Sequence, residues 1–170
     1  MIAMDTALRM WVVTHRVAVL NPFFWFVSVI GRGGLVWLAI AAAMAIARRQ
    51  WRMFALVLAA VLIASAVSNE IIKPLVGRRR PFEILSGAVI GGRPDDASFP
   101  SGHSANAFAG ATTLSWVAPQ VSWLWWTLAV AIAFSRVYLG VHFPLDVVGG
   151  ALVGVASAWL ARWLTRFPQL

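Results

Sequence analysis

"WTLAVAIAFSRVYLGVHFPLDVVGGALVGVASAWLARWL", residues 126–164, decides the fold. Two apolar runs flank the twelve residues from Ser135 to Asp146, which hold Arg136, His142 and Asp146 in a chain that otherwise avoids polar side chains. Each run approaches the roughly 20 residues needed to cross a hydrocarbon core, so the stretch reads as two membrane spans joined by a polar junction. Backbone groups in lipid must be satisfied internally, which allows helices or a closed barrel. Runs this continuous lack the alternation of barrel strands, and the expected fold is an all-α polytopic membrane bundle.

Composition extends that reading to the whole chain. Of 170 residues, 61% are hydrophobic and 12% charged, against about a quarter charged in soluble domains. The length suits one domain, residues 1–170. The absence of cysteine excludes disulfides, thiolate metal sites and cysteine nucleophiles. The formal charge of +8 comes from thirteen Arg and one Lys against six acids. In a polytopic protein such an excess points to cytoplasmic anchoring, anionic lipids or an anionic substrate. Nucleic acid is the weaker reading, because the basic residues sit between apolar spans and not on a soluble basic face.

Five spans are expected. Residues 4–20 mix Asp5, Arg9, His15 and Arg16 with apolar residues and read as an amphipathic helix lying in the interface, within an N-terminal segment 1–21. It lacks the pattern of a cleavable signal and is expected to stay. A first span lies within 22–47, with "GRGG" (31–34) as a break. Arginine at mid-membrane costs at least about 2.5 kcal/mol, so a span that begins after Arg32 is the cheaper arrangement. The other spans are expected at 53–72, 102–118, 122–139 and 145–164, which leaves the polar stretch 74–100, the junction 135–146 and the N-terminal helix on one side.

Three polar clusters share that side: "KPLVGRRRP" (73–81), "FPSGHS" (99–104) and the junction itself. Alone, each has a bland reading: an interfacial anchor, a helix cap and an ion pair between helices. Together they suggest a site, with loops 73–102 and 135–146 forming it. Lys73, Arg80 and Arg136 supply fixed positive charge and guanidinium forks that match phosphate oxygens. Ser101 and Gly102 stand where a helix begins, so backbone N–H groups can face an anion. Pro144 suits the first position of a helix, which puts Asp146 in its first turn, within reach of His142. The carboxylate would fix one ring nitrogen and leave the other free to attack phosphorus, and His103 would protonate the departing oxygen. This is phosphoryl transfer through a phosphohistidine, with no cofactor. Hard metals want clustered carboxylates, and these six acids are scattered in sequence. Asp95 and Asp96 read as solvated loop residues, while Glu70 fits either an arginine partner or a polar pocket.

The ordered elements Lys73-x6-Arg80-Pro81, Pro100-Ser101-Gly102-His103 and Ser135-Arg136-x5-His142-x3-Asp146 resemble the tripartite signature of the type 2 phosphatidic acid phosphatase superfamily. That superfamily comprises membrane lipid phosphatases and the soluble vanadium haloperoxidases. The resemblance implies His142 as nucleophile, Asp146 as its orienting partner and His103 as general acid, with Lys73, Arg80, Ser101, Gly102 and Arg136 binding phosphate. It implies a lipid phosphate substrate within the bilayer, undecaprenyl diphosphate first, with phosphatidylglycerophosphate, phosphatidic acid or lipid A as alternatives. A non-hydrolytic phospholipid or anion transporter is the competitor from another class. Charge does not orient the chain. Setting the site cations aside, Arg9, Arg16, Arg32, Arg78, Arg79 and Arg93 face Arg48, Arg49, Arg52, Arg162 and Arg166 across the membrane. The resemblance places the protein in the plasma membrane with the site on the periplasmic or extracellular face.

Overall fold

The structure, a computed structural model, describes residues 2–166. Its helices are α1 (Ile2–Thr14), α2 (Asn21–Ile30), α3 (Leu35–Arg48), α4 (Trp51–Ala66), α5 (Lys73–Val76), α6 (Pro81–Ile84), α7 (Gly102–Val117), α8 (Ser122–Tyr138) and α9 (Pro144–Thr165). A π-helical turn, Val67–Ile72, carries α4 into α5, and no strand occurs among the described residues. The stretches Trp51–Ile84, Pro119–Tyr138 and Pro144–Thr165 are long and apolar enough to cross a membrane. Ala3–Thr14 and Ala18–Ile30 form a pair bent by 98°, and α3 and α7 are shorter, at 14 and 16 residues.

Helix α7 is the centre, packed by α4, α8 and α9 and touched by α3. Its buried residues include Ala105, Asn106, Ala109, Gly110, Thr113 and Leu114, on faces too widely spread for a one-sided apolar stripe. Small residues let backbones approach closely where lipid supplies no hydrophobic drive between helices. A Cβ at Gly154 would stand 2.2 Å from the Ala105 carbonyl oxygen, and one at Gly150 would stand 2.4 Å from that of Ser101. Gly110 likewise accommodates the fully buried Trp37 ring. The hydroxyls of Thr112 and Thr113 donate to carbonyls one turn back, which satisfies them inside the helix. Large apolar side chains such as Leu35, Leu62, Val130, Leu152 and Trp163 point outward.

The break in the first apolar stretch lies at Gly33 and Gly34, whose φ of +59° and +75° are conformations that only glycine adopts readily. Regular helix resumes at Leu35, after Arg32. Helix α1 turns its polar residues the opposite way from a helix resting on the headgroups. Asp5 and Arg9 are buried against the protein, while Met4, Leu8 and Trp11 are exposed. Arg9 donates to the carbonyls of Ser86 and Gly140, and Arg16 to those of Tyr138 and Ala88. These are the orphan acceptors of a helix end and a loop.

The α7–α9 crossing should tolerate no side chain. Gly154→Val is expected to cost at least about 1–3 kcal/mol and to lower the thermal unfolding midpoint in detergent. Gly92→Ala, where a Cβ meets nothing within 4 Å, should leave that midpoint unchanged.

Candidate functional site

The junction folds back on itself at the end of α8. Gly140, at φ +84°, reverses the chain, and the N–H groups of Val141 and His142 return to the Arg136 carbonyl at 3.2 and 3.3 Å. His142 thereby sits over the turn that carries Arg136. A Cβ at Gly140 would also lie 2.7 Å from Arg16 Nη2, so this corner needs glycine for both conformation and space. Pro144 then starts α9, and the carboxylate of Asp146 accepts the Phe143 N–H at 2.8 Å.

Asp146 is fully buried. Its Oδ2 accepts the Ser98 hydroxyl at 2.5 Å and faces His142 Nδ1 at 3.4 Å, and its Oδ1 accepts Arg78 Nη1 at 2.6 Å. On the other side of the ring, His142 Nε2 lies 3.3 Å from Arg80 Nη1. A guanidinium only donates, so Nε2 is the acceptor and the ring proton belongs on Nδ1, toward Asp146. Burial pushes the His142 pKa down to about 4, and the charges of Arg80 and Arg136 act in the same direction, against Asp146. The ring is therefore neutral at pH 7, with the Nε2 lone pair turned toward Arg80 Nη1.

A cavity of about 450 Å³ opens on that lone pair, lined by Lys73, Arg80, Gly102, His103, Arg136 and His142, with Arg32, Asn69, Arg93, Asp96 and Asn106 around them. The π-helical turn aims this end of the α4–α5 segment, which brings Asn69 and Lys73 to the cavity; such turns often mark functional sites. From Gly77 to Arg80 the chain is not helical, and its arginines diverge. Arg78 and Arg80 turn inward on either side of His142, and the exposed Arg79 reaches back to Glu83 at 3.4 Å. Arg136 donates to Ser28 Oγ, while its buried Nε has no partner among the described residues. Helix α7 begins at the cavity wall, where a Cβ on Gly102 would press on Asn69 Oδ1 at 3.1 Å.

Six of the expected site residues thus line one cavity. Ser101 and Asp146 stand behind it. Ser101 Oγ accepts the Ser104 N–H at 3.5 Å as the N-cap of α7, and its own N–H donates to the Asp146 carbonyl at 2.9 Å. Asp96 is exposed in a loop, as expected, but it is also paired with site cations. Its Oδ2 accepts Lys73 Nζ, its Oδ1 accepts Arg80 Nη2 at 2.5 Å, and its main-chain carbonyl accepts Arg80 Nε at 2.7 Å. Partial burial pushes its pKa up, but the bonds and charges of Lys73 and Arg80 outweigh that and hold it at about 2. Asp95 and Glu70 are exposed, and Glu70 takes no ion-pair partner among the described residues. Arg78 and Ser98 lie in the loop expected to form the site but carry no role in the sequence reading, and Asp5 is not placed at the site by it. The one signal for Arg78 was its i−2 spacing from Arg80, which puts two side chains on one side of an extended strand. No three His, Cys, Asp or Glu side chains among the described residues form a metal-binding set.

A family profile described as the PAP2 superfamily matches residues 54–169. An undecaprenyl-diphosphatase from Sulfolobus acidocaldarius is 34% identical over 149 residues, covering 86% of this chain and 70% of that protein. The crystal structure of Aquifex aeolicus LpxE is similar at a TM-score of 0.79 and 26% identity, covering 91% of this chain and 92% of that one. A transmembrane PAP2-type phosphatidylglycerolphosphate phosphatase from Bacillus subtilis is similar at a TM-score of 0.76 and 26% identity, covering 96% and 85%.

Asp96 occupies the place of an anion between Lys73 and Arg80. Asp96→Asn should remove the competing negative charge from both cations, and inorganic phosphate should bind about tenfold tighter by calorimetry, the equivalent of one charge-assisted bond of about 1.5 kcal/mol. Weaker binding would instead assign Asp96 to holding the cations in place.

Proposed function

The chain belongs to the PAP2 superfamily of membrane lipid phosphatases, and from that premise we propose that it hydrolyses a polyprenyl diphosphate, undecaprenyl diphosphate first, to the monophosphate through a phosphohistidine. The observation that carries this reading is the neutral His142 ring, with Nε2 turned into a cavity walled by Lys73, Arg80 and Arg136. Nε2 attacks the terminal phosphorus, and the bond from phosphorus to the bridging oxygen breaks. His103, entering the step as the imidazolium, gives that oxygen its proton. His103 then takes a proton from water as the water attacks the phosphohistidine, which releases inorganic phosphate and restores the His142 lone pair. The three cations and the α7 amides at Gly102 and His103 meet the charge on the equatorial oxygens, the main source of catalysis in phosphoryl transfer. Ser101 contributes by capping α7 and so aiming those amides. No metal ion is required in this scheme.

The diphosphate preference rests on two supports. The Sulfolobus acidocaldarius relative is named for that activity, and the same cavity is also lined by Arg32 and Arg93, which would offer a second phosphate compensating charge. In the membrane we place five spans over the stretches expected from sequence, with α1 against the site end. Following the family resemblance, we orient the site toward the outer face of the plasma membrane.

Purified protein in detergent, given undecaprenyl diphosphate, undecaprenyl phosphate, phosphatidylglycerophosphate, phosphatidic acid and lipid A in the presence of a chelator, should release phosphate fastest from the diphosphate. His142→Ala should abolish release, and His103→Ala should reduce it by about 10²–10⁴-fold. Ligand movement across vesicles without phosphate release would favour a transporter. Arg32→Ala should raise KM for the diphosphate about tenfold, the loss of one charged contact, and leave KM for a monophosphate unchanged. Equal effects on both would remove Arg32 from the second-phosphate position. Reporter fusions within residues 83–98 and at the C-terminus test the orientation.

A further inference from the structure

We propose that Arg78 and Asp5 are positioning residues that set the proton affinity of His142 through Asp146, so that the N-terminal helix forms part of the catalytic apparatus. This inference rests on the phosphohistidine reading above and extends it to a segment outside residues 54–169.

Arg78 is held on three sides. Nη1 donates to Asp146 Oδ1 and Nη2 to Asp5 Oδ2, both at 2.6 Å, and the guanidinium lies 4.2 Å from the centre of the Phe143 ring. The planar fork uses two of its edges and one of its faces, a geometry that an ammonium group cannot copy in full. Asp5 is 1% exposed, and its Oδ1 accepts the Leu145 N–H at 2.9 Å. That N–H is one of the orphan donors in the first turn of α9. Helix α1 therefore both satisfies the start of α9 and supplies a negative charge behind Arg78.

The order of charges runs Asp5, Arg78, Asp146, His142. The remaining groups around the ring are Arg80 and Arg136, Ser98, and His103 across the cavity, with Asp96 and Lys73 paired beside Arg80. An uncompensated Asp146 carboxylate would stabilise the imidazolium, protonating the nucleophile and removing its lone pair. Arg78 offsets that pull. Asp5 in turn moderates Arg78, so the two residues act on the ring with opposite sign. A mere structural tie has no such sign, because loosening either end would disturb the same contact in the same way.

The test is the histidine titration of full-length protein in detergent, read by NMR of labelled imidazole, alongside kcat/KM against pH. With three histidines in the chain, His142 is assigned by comparison with His15→Gln and His103→Gln. Arg78→Gln should raise the His142 midpoint and the acid limb of kcat/KM by about half a unit to one unit, with loss of kcat at acidic pH. Asp5→Asn, which keeps an oxygen for the Leu145 N–H, should move both downward. Arg78→Lys should restore the midpoint in large part, and the exposed Arg79→Gln should match wild type. Shifts in the same direction for Arg78→Gln and Asp5→Asn, or no shift in either, would overturn the inference while leaving the phosphatase reading intact. Absence of phosphate release by the wild type would overturn that reading first. The NMR midpoint needs no turnover, so it decides the sign even for a variant that is folded but inactive.

Discussion

A carboxylate with no access to water governs the rest of this structure. Asp146 is fully buried at the head of α9, where an ionised group costs several kcal/mol unless it is paired and hydrogen-bonded. Its partners come from separate parts of the chain: Arg78 before α6, Ser98 in the long loop, the Phe143 N–H of its own helix, and His142 from the junction. Each partner is constrained in turn. Ser98 N–H donates to the Arg78 carbonyl at 2.7 Å, and Ser101 N–H to the Asp146 carbonyl. Satisfying one charge thus fixes the relative positions of all three polar clusters.

That network requires the helices beneath it to approach closely. Gly150 and Gly154 bring α9 onto the backbone of α7, and Ser104 Oγ seals the contact on the Val147 carbonyl at 2.7 Å. With a larger residue at either glycine, the Ser101 amide would leave the Asp146 carbonyl, and the starts of α7 and α9 would separate. The small-residue seam and the polar cluster are two ends of one constraint. Close packing lets the buried charges meet, and their pairing makes a polar site tolerable in an apolar bundle.

The parts legible in the sequence were those governed by local chemistry or by side of the membrane. Pro144 and Asp146 announced the start of α9 because helix initiation depends on residues within one turn. Lys73, Arg80, His103, Arg136 and His142 could be placed at one mouth because successive spans alternate sides. Contacts across long stretches of chain were not legible. Asp96 meets Lys73 and Arg80 through a Gly-rich loop that has no period to read. Asp5 pairs with Arg78 across 73 residues. Helix α1 shows two faces in sequence, but the pattern does not say which face meets the protein. Here buried partners claim the polar one, because Arg9, Arg16 and Asp5 satisfy donors and acceptors that lipid cannot.

Asp96 completes the electrostatic account of the cavity. Lys73, Arg80 and Arg136 line one cavity and would repel one another, and the Asp96 carboxylate on the first two relieves part of that repulsion. Its low pKa means that acidification does not remove it anywhere above about pH 2. An anionic ligand that met Lys73 and Arg80 would therefore compete with a carboxylate, and its affinity would be a difference between two sets of similar bonds. A carboxylate carries one charge and two oxygens, whereas a phosphoryl group offers three oxygens and up to two charges. The exchange favours the group with the greater charge, and it leaves weakly anionic groups little advantage over the residue already there. Arg136 Nε, unpartnered among the described residues, would add to the preference, since the Asp96 carboxylate is bound to Lys73 and Arg80 and makes no bond to it, while a third phosphoryl oxygen would provide an acceptor. On the phosphatase reading proposed above, this exchange would favour phosphate over carboxylate.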